Sequence, residues 1–331
     1  MDASVIIPTY NRSDAILETL SALAQVDYPR DRWEAVVVDD GSTDGTEDAV
    51  GRWIATTKAP VRYFRQKNAG PAAARNHGAA LARGEALIFI DNDIIVPSHF
   101  VRAHLETLKS NPGSWVLGRI AHPRELRKTP FGRYRDDAWE SFHRSYPADS
   151  VSVTDGMSAA NVSMPAADFQ RLGGFDESFT IASSEDWDLG MRARQIGVSV
   201  FYNPGIVVLH NDWAVSLEKF CERQRLYSIS DVLLWQKYGA DSPRVSLIRQ
   251  NAPVDWGNDS LRLVCKKLVK RSLATGAGKK LVTLACRIAE RLAPDSRLNR
   301  RAYETAVGAA IFSGVREGLR RYGTEEGRRD G

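Results

Sequence analysis

Val36-Val-Val-Asp-Asp-Gly-Ser-Thr-Asp-Gly45 reads as an apolar strand that ends in two acids, followed by a glycine-flanked turn and a helical pattern to about Trp53. The same order recurs on both sides of it. Upstream, Ser4-Val-Ile-Ile-Pro8 is a short apolar run closed by Pro8, and Asn11-Arg-Ser-Asp14 opens a helix through Leu17, Leu20 and Leu23. Downstream, Val61-Arg-Tyr-Phe64 turns at Asn68-Ala-Gly-Pro71 into an alanine-rich helix to Leu81, and Ala86-Leu-Ile-Phe-Ile90 runs into Asp91-Asn-Asp93. Strands alternating with helices predict an α/β fold with a mostly parallel sheet and helices on both faces, because parallel neighbours need a crossover connection.

In such sheets ligands sit beyond the carboxyl ends of the strands, near the point where strand order reverses. Thr9 and Tyr10, Asp39 and Asp40, and Asp91 and Asp93 all fall at those ends. Periodicity alone would not require three polar clusters on one edge. Farther on, 115–147 is irregular, with Pro123, Pro130 and several aromatics, and reads as loops and short helices over the sheet edge. Asn161-Val-Ser-Met164 reads as a strand, Gly173-Gly174 stops the helix that follows it, Glu185–Gln195 is a helix, and Phe201–His210 holds the last strand signal. Beyond Ser216 the pattern is helical almost throughout, with a linker at 251–259.

The chain of 331 residues is long enough for one large α/β domain and a smaller appendage. With 43% apolar and 26% charged residues, disordered and fibrous classes are excluded. Cys221, Cys265 and Cys286 are odd in number and lack the short paired spacings of a zinc site or disulfide framework, so a reducing, cytoplasmic setting is expected. No stretch reaches the roughly 20 apolar residues that span a bilayer, and the first residues lack a basic leader. Residues 261–331 carry 17 Lys and Arg against 7 Asp and Glu, while the rest of the chain is slightly acidic. Such asymmetry fits nucleic acid, an anionic membrane surface or a solvated helical face.

The chemistry-bearing residues each admit two readings. Asp91 and Asp93, two apart in an extended segment, would point the same way and grip one cation; oxygen ligands suit Mg²⁺ or Mn²⁺, and the plainer reading is a turn or helix cap. Asp39 and Asp40 either cap the turn after them or accept bonds from a base N–H or ribose hydroxyl. Arg75 can pair with a diphosphate from the start of a small-residue helix, or be an exposed helical arginine. His77, on the same helix, reads as structural. In Ser183-Ser-Glu-Asp-Trp-Asp188 the acids suit a capped helix start, and Asp186 can equally be a general base. His210 closes an apolar strand as an edge histidine or as a third metal or phosphate ligand.

Taken in order, these strings resemble the large family of inverting bacterial glycosyltransferases known as family 2, whose nucleotide-sugar-binding fold is called GT-A. The matching segments are Val5-Ile-Ile-Pro-Thr-Tyr-Asn-Arg12, Val36 through Thr46, Asn68-Ala-Gly-Pro-Ala-Ala-Ala-Arg-Asn76, Asp91-Asn-Asp93, Gly173-Gly-Phe-Asp-Glu177, Glu185-Asp-Trp-Asp-Leu189 with Arg192, and His210. They cover roughly 4–212.

The resemblance implies transfer of a sugar from a nucleoside-diphosphate donor, UDP- or dTDP-linked, to an acceptor hydroxyl with inversion, assisted by a divalent metal. It places such an enzyme in bacterial polysaccharide, glycolipid or secondary-metabolite glycosylation. Thr9 and Asp40 would contact the base, Asp39 the nucleoside nearby and Arg75 the nucleotide side of the cleft, with Pro8, Tyr10, Arg12, Asn68 and Asn92 in the same donor set. Asp91 would hold the ribose or a metal-bound water, and Asp93 and His210 the metal. Asp186 matches the catalytic base, Glu185 and Trp187 would shape the acceptor pocket, and Gly156 matches a loop lining the donor sugar.

The expected organisation is a catalytic domain over 1–212, with a nucleotide-binding half at 1–110 and an acceptor-binding half at 111–212, and a basic helical region over 213–331. In that region Leu261, Val264 and Leu268, and Leu281, Leu284 and Ile288, recur at helical spacing beside many cations. They would pack on the catalytic domain, pack on a twin subunit in a homo-oligomer, or touch the inner face of a membrane where a lipid-linked acceptor lies. A nucleic-acid-binding protein is disfavoured because the basic region lacks interleaved aromatics. A sugar nucleotidyltransferase would place a glycine-rich basic loop where Pro8-Thr-Tyr-Asn-Arg12 stands.

Overall fold

Alternation along the first strands explains why they read as unbroken apolar runs. In β1 (Ala3–Thr9) Val5 and Ile7 face one core and Ile6 the other, and in β2 (Trp33–Asp39) Ala35 and Val37 oppose Val36 and Val38 in the same way. Both faces of these strands are covered, as parallel strands in α/β sheets require. The helix α1 (Ser13–Leu23) contributes Ile16, Leu20 and Leu23 to the first core; α3 (Pro71–Leu81) contributes Ala72, Ala74 and Ala79 to the second. The computed structural model describes residues 1–212 and 214–323.

With α2 (Thr46–Thr56), β3 (Val61–Arg65) and β4 (Ala86–Ile90), the first half forms a parallel sheet in the order β3-β2-β1-β4. Strand order reverses between β1 and β4. The β1–β4 ladder runs only from Ala3 to Ile6, so Pro8 lies beyond it on that side and its missing N–H costs no bond to β4. The ends of β1 and β4 therefore flank the crevice where ligands bind in such sheets.

After β4 the sheet becomes mixed. The short β5 (Ile94–Ile95), α4 (Phe100–Ser110), β6 (Trp115–Ala121), α5 (Pro130–His143), β7 (Ser152–Thr154), β8 (Asn161–Pro165), α6 (Ala166–Arg171), α7 (Glu185–Gln195) and β9 (Val200–His210) follow in the chain. The strand path continues β4-β8-β6-β9-β5, with β7 pairing off β9. Here β8 is antiparallel to both β4 and β6, while β6 and β9 are parallel. The expectation of loops and short helices over 115–147 gives way to a strand and a 14-residue helix. A register shift between Gly118 and Arg119 interrupts the strand's alternation, and α5 starts on Pro130, a residue that reads as a break but suits a first helical turn.

The described residues divide into two compact units, 1–125 with 138–212, and 126–137 with 214–323. The first holds the sheet. The second is helical: α8 (Leu217–Tyr238), α9 (Val245–Asn251), α10 (Leu261–Leu273), α11 (Gly276–Leu292) and α12 (Arg297–Tyr322). Ser216, Ser260, Thr275 and Ser296 cap four of these helices by accepting a hydrogen bond from the amide three residues on. Close approach of α8 and α12 depends on Gly314, where a Cβ would come within 2.1 Å of the Arg225 carbonyl oxygen. Phe131, Val282, Cys286 and Tyr303 form one core of this unit; Val232, Ile248 and Val315 form another. All three cysteines are free, and among the described residues no helix is long and apolar enough to cross a membrane.

Candidate active site

At the carboxyl edge of the sheet, Asp91, Asp93 and His210 bring one ligand atom each to within 4.8 Å of one another. The chain achieves this with a turn. Residues 91–93 leave β4 and reverse into β5, so the two carboxylates converge through turn geometry rather than through strand alternation as expected from their spacing. His210 joins them because Ile94 pairs with His210 in the β5–β9 ladder.

His210 Nε2 lies 3.2 Å from Asp93 Oδ1. Burial works against a charged imidazole here, but the hydrogen bond to Asp93 and the charges of Asp93, Asp91 and Asp212 raise its pKa above the ordinary histidine value. Burial would likewise raise the Asp93 carboxyl, and His210 together with Arg12 overcomes it and holds the group below its usual range. Two carboxylates and an imidazole form a donor set that suits Mg²⁺ or Mn²⁺. Sequence reasoning missed His122, which follows β6 and whose ring stacks on that of His210 at 6.3 Å; the parallel pairing of Ala121 with Leu209 puts the two histidines side by side.

Arg75 is buried on α3 rather than exposed, and it links this cluster to α7. Its Nη2 donates to Asp91 Oδ1 and its Nη1 to Glu185 Oε1, each at 2.7 Å. The two partners respond differently. The guanidinium stays charged, since Asp91 and Glu185 outweigh its burial, whereas burial and the neighbouring Asp186 raise the Glu185 carboxyl despite Arg75. The carboxyl is the member of the pair that gives way. Its second oxygen, Oε2, is buried with no hydrogen-bond partner.

Ser184 precedes these acids with φ of 73°, an uncommon left-handed conformation for a residue with a side chain. Asp186 then accepts from the amides of Trp187 at 2.7 Å and Ala159 at 3.3 Å. Ala159 lies on the β7–β8 loop that also carries the buried Gly156, whose amide donates to Thr154 Oγ1. Trp187 is half-buried in the first turn of α7.

Around the β1–β2 edge the polar residues bind one another closely. Thr9 Oγ1 accepts from Asn92 Nδ2 at 2.9 Å, joining the ends of β1 and β4 across the switch point. Asp39 accepts from the Ser42 amide and from the Tyr63 hydroxyl. Asp40 accepts from Gln66 Nε2 and from the amides of Ala69 and Gly70, each at 2.8 Å, so its carboxylate holds the 66–70 loop. Gln66 passes that link to His77 Nδ1 at 2.8 Å, a structural role for this histidine. Tyr10 and Asn68 are exposed at the rim; Arg12 is exposed at the start of α1.

Other motif residues build the frame. Asn76 accepts from the Phe175 amide and donates to its carbonyl, clamping the Gly173–Glu177 loop 99 residues away. Gly174 has φ of 72° there, and a Cβ on it would sit 2.6 Å from Asn76 Oδ1. Arg192 completes the clamp, bonding Asp188 and the carbonyls of Leu172 and Gly174. Sequence reasoning quoted Asn76 and Arg192 in motifs without a role; only their long-range partners supply one.

Residues 4–151 match the family model described as glycosyl transferase family 2. A validoxylamine A glucosyltransferase of Streptomyces hygroscopicus subsp. jinggangensis is 32% identical over 259 residues, which cover 70% of this chain and 58% of that protein. A glycosyltransferase of Haloferax volcanii is 24% identical over 62% of this chain and 66% of its own length. The chain thus spans less than two thirds of these relatives. Among solved structures, a mannosyltransferase from Pyrobaculum calidifontis, in complex with GDP-mannose and Mn²⁺, superposes with a TM-score of 0.66 over 97% of this chain and 87% of that one, at 20% identity. That likeness is one of fold. The segment 4–151, which holds the first four of the strings that carry the resemblance read from the sequence, is a glycosyl transferase family 2 segment.

Proposed function

We propose that the chain transfers a hexosyl group from a UDP- or dTDP-linked sugar to an acceptor hydroxyl, with inversion and with a divalent cation, Mg²⁺ or Mn²⁺, held by Asp91, Asp93 and His210. The observation that carries this reading is the position of Asp91. It belongs to the three-residue cluster and, through Arg75, is tied to Glu185, the residue before Asp186. A cation at that cluster supplies positive charge against the departing diphosphate.

The chain's own residues do the rest. Asp186, oriented by two backbone amides, takes the proton of the acceptor hydroxyl as its oxygen bonds to the sugar carbon. The bond from that carbon to the phosphate oxygen breaks, and its electron pair leaves with the diphosphate. Attack from the face opposite the leaving group inverts the sugar carbon. Thr9, Asp39 and Asn92, at the β1–β4 crevice with Pro8, Tyr10, Arg12 and Asn68 around them, receive the nucleotide. Asp40 acts by holding the 66–70 loop beside it. Gly156, Glu185 and Trp187 shape the space between donor sugar and acceptor. Glucosyl transfer, named for the Streptomyces relative, makes UDP-glucose the first donor to try. A catalytic domain over 1–212, working in the cytoplasm on polysaccharide, glycolipid or secondary-metabolite acceptors, completes the proposal.

The test is release of free nucleoside diphosphate from a panel of UDP- and dTDP-hexoses by the full chain, with Mn²⁺ and with a chelator. Release from at least one donor, abolished by chelation, supports the reading. Binding of no nucleoside diphosphate in calorimetry, with or without Mn²⁺, would overturn it.

A further inference from the structure

In the helical unit, α11 carries two apolar faces. Val282, Cys286 and Ala289 are buried, while Leu281, Leu284, Ile288 and Leu292 point outward and are between 48% and 81% exposed. At 100° per residue the outward four fall within an arc of about 80°, one continuous stripe along the helix. Lys280, Arg287 and Arg291, also exposed, form a row along the side of the stripe away from the buried face. The one acid on α11, Glu290, is on the inner side and accepts a hydrogen bond from the Tyr303 hydroxyl. Arg287 makes an ion pair with Glu218, but both groups are exposed and such a pair adds little.

The neighbouring α10 repeats the pattern. Leu261, Leu268 and Val269 are exposed beside Arg262, Lys266 and Arg271, while Val264 is buried. Ahead of α10, Trp256 is 77% exposed. An apolar stripe lined by cations, with an exposed tryptophan nearby and no helix among the described residues able to cross a bilayer, has the chemistry of a surface that lies in a lipid interface.

We propose that α11, assisted by α10, docks the protein on an anionic phospholipid bilayer, with Leu281, Leu284, Ile288 and Leu292 entering the interface and Lys280, Arg287 and Arg291 meeting lipid phosphates. Charge favours this occupant over a second copy of the chain. In an antiparallel two-fold pair of α11 helices the same row of each copy meets itself, so cations would face cations; α11 itself carries no acid beside the stripe, and the one exposed partner, Glu218, meets Arg287 alone. Lipid phosphates provide the missing anions.

Co-sedimentation of the full chain with vesicles tests this without donor, metal or acceptor, so its failure would leave the transfer reading untouched. Vesicles of phosphatidylcholine with about a third phosphatidylglycerol should pellet the protein at low salt, and binding should fall as salt rises. The variant L284E/I288E should lose at least about tenfold in binding, as should K280E/R291E, since each lost cation is worth a severalfold change. Both pairs are exposed, so melting temperature should stay near wild type. Three results would overturn the proposal: no pelleting of the wild type on anionic vesicles, equal pelleting of L284E/I288E, or a wild-type dimer in sedimentation velocity that L284E/I288E converts to monomer.

Discussion

Arg75 and Glu185, 110 residues apart in the chain, form a buried ion pair of 2.7 Å that couples the third helix to the start of the seventh. Removing one partner of such a pair leaves an uncompensated buried charge, commonly at a cost of about 3–5 kcal/mol. Arg75→Met should therefore destabilise the protein by roughly that amount in urea unfolding. Adding Glu185→Gln should restore part of the loss, because the orphaned carboxylate is then gone. A double variant as unstable as the sum of the two single variants would show that the pair is not coupled.

Asp93→Asn should leave the fold intact while weakening Mn²⁺-dependent nucleotide binding. Partners in the outer shell of a metal site typically cost about 10- to 100-fold in affinity when removed, and a direct ligand should cost at least as much. Calorimetry with UDP or dTDP in the presence of Mn²⁺ measures this. Unchanged affinity would remove Asp93 from the proposed metal set.

His104 offers a pH signature for the sheet. It is fully buried on α4, between Ser163 Oγ at 2.8 Å and Asn161 Oδ1 at 3.0 Å, and burial pulls its pKa down to about 4. In the unfolded chain the group titrates near 6.5. A depressed histidine stays neutral in the fold while the unfolded chain takes up a proton, so its contribution is complete above about pH 6.5 and is lost as pH falls toward 4. The loss should approach roughly 3 kcal/mol. His104→Gln, compared with wild type by urea titration from pH 8 to about pH 4, should show a flatter fall; parallel curves would contradict the assignment.

Much of this was readable from residues 4–93, where short-range rules act. Continuous apolar runs imply strands buried on both faces, and the helices between them imply parallel neighbours; β1, β2 and β4 follow both rules, while β3, a half-buried edge strand, follows only the second. The α7 helix begins at Glu185 and ends at Gln195, the range its pattern predicts. The metal-type cluster was legible as residue types, but its convergence depends on the turn after β4 and on the Ile94–His210 pairing, which no spacing encodes. Asp40 reads as a nucleotide contact from its neighbours in sequence, and its bonds to a loop some 30 residues on are a partnership that spacing does not encode. In the C-terminal helices, Leu261, Val264 and Leu268 read as one stripe, yet Val264 is buried and the other two are exposed. Spacing identifies a helix face but not what covers it.

Removal of the acceptor proton by Asp186 is the step on which the proposed transfer rests, and turnover by Asp186→Asn reads it out. Asp186 lies in the first turn of α7 and Asn matches its size; the single amide oxygen of Asn can keep the 2.7 Å contact from the Trp187 amide and gives up the longer one from Ala159, so the fold and nucleotide binding should persist. General-base catalysis is commonly worth about a factor of 10² to 10⁴, so kcat should fall by at least a hundredfold while melting temperature and donor affinity stay near wild type. A variant that keeps more than about a tenth of the wild-type kcat would place Asp186 outside the chemistry.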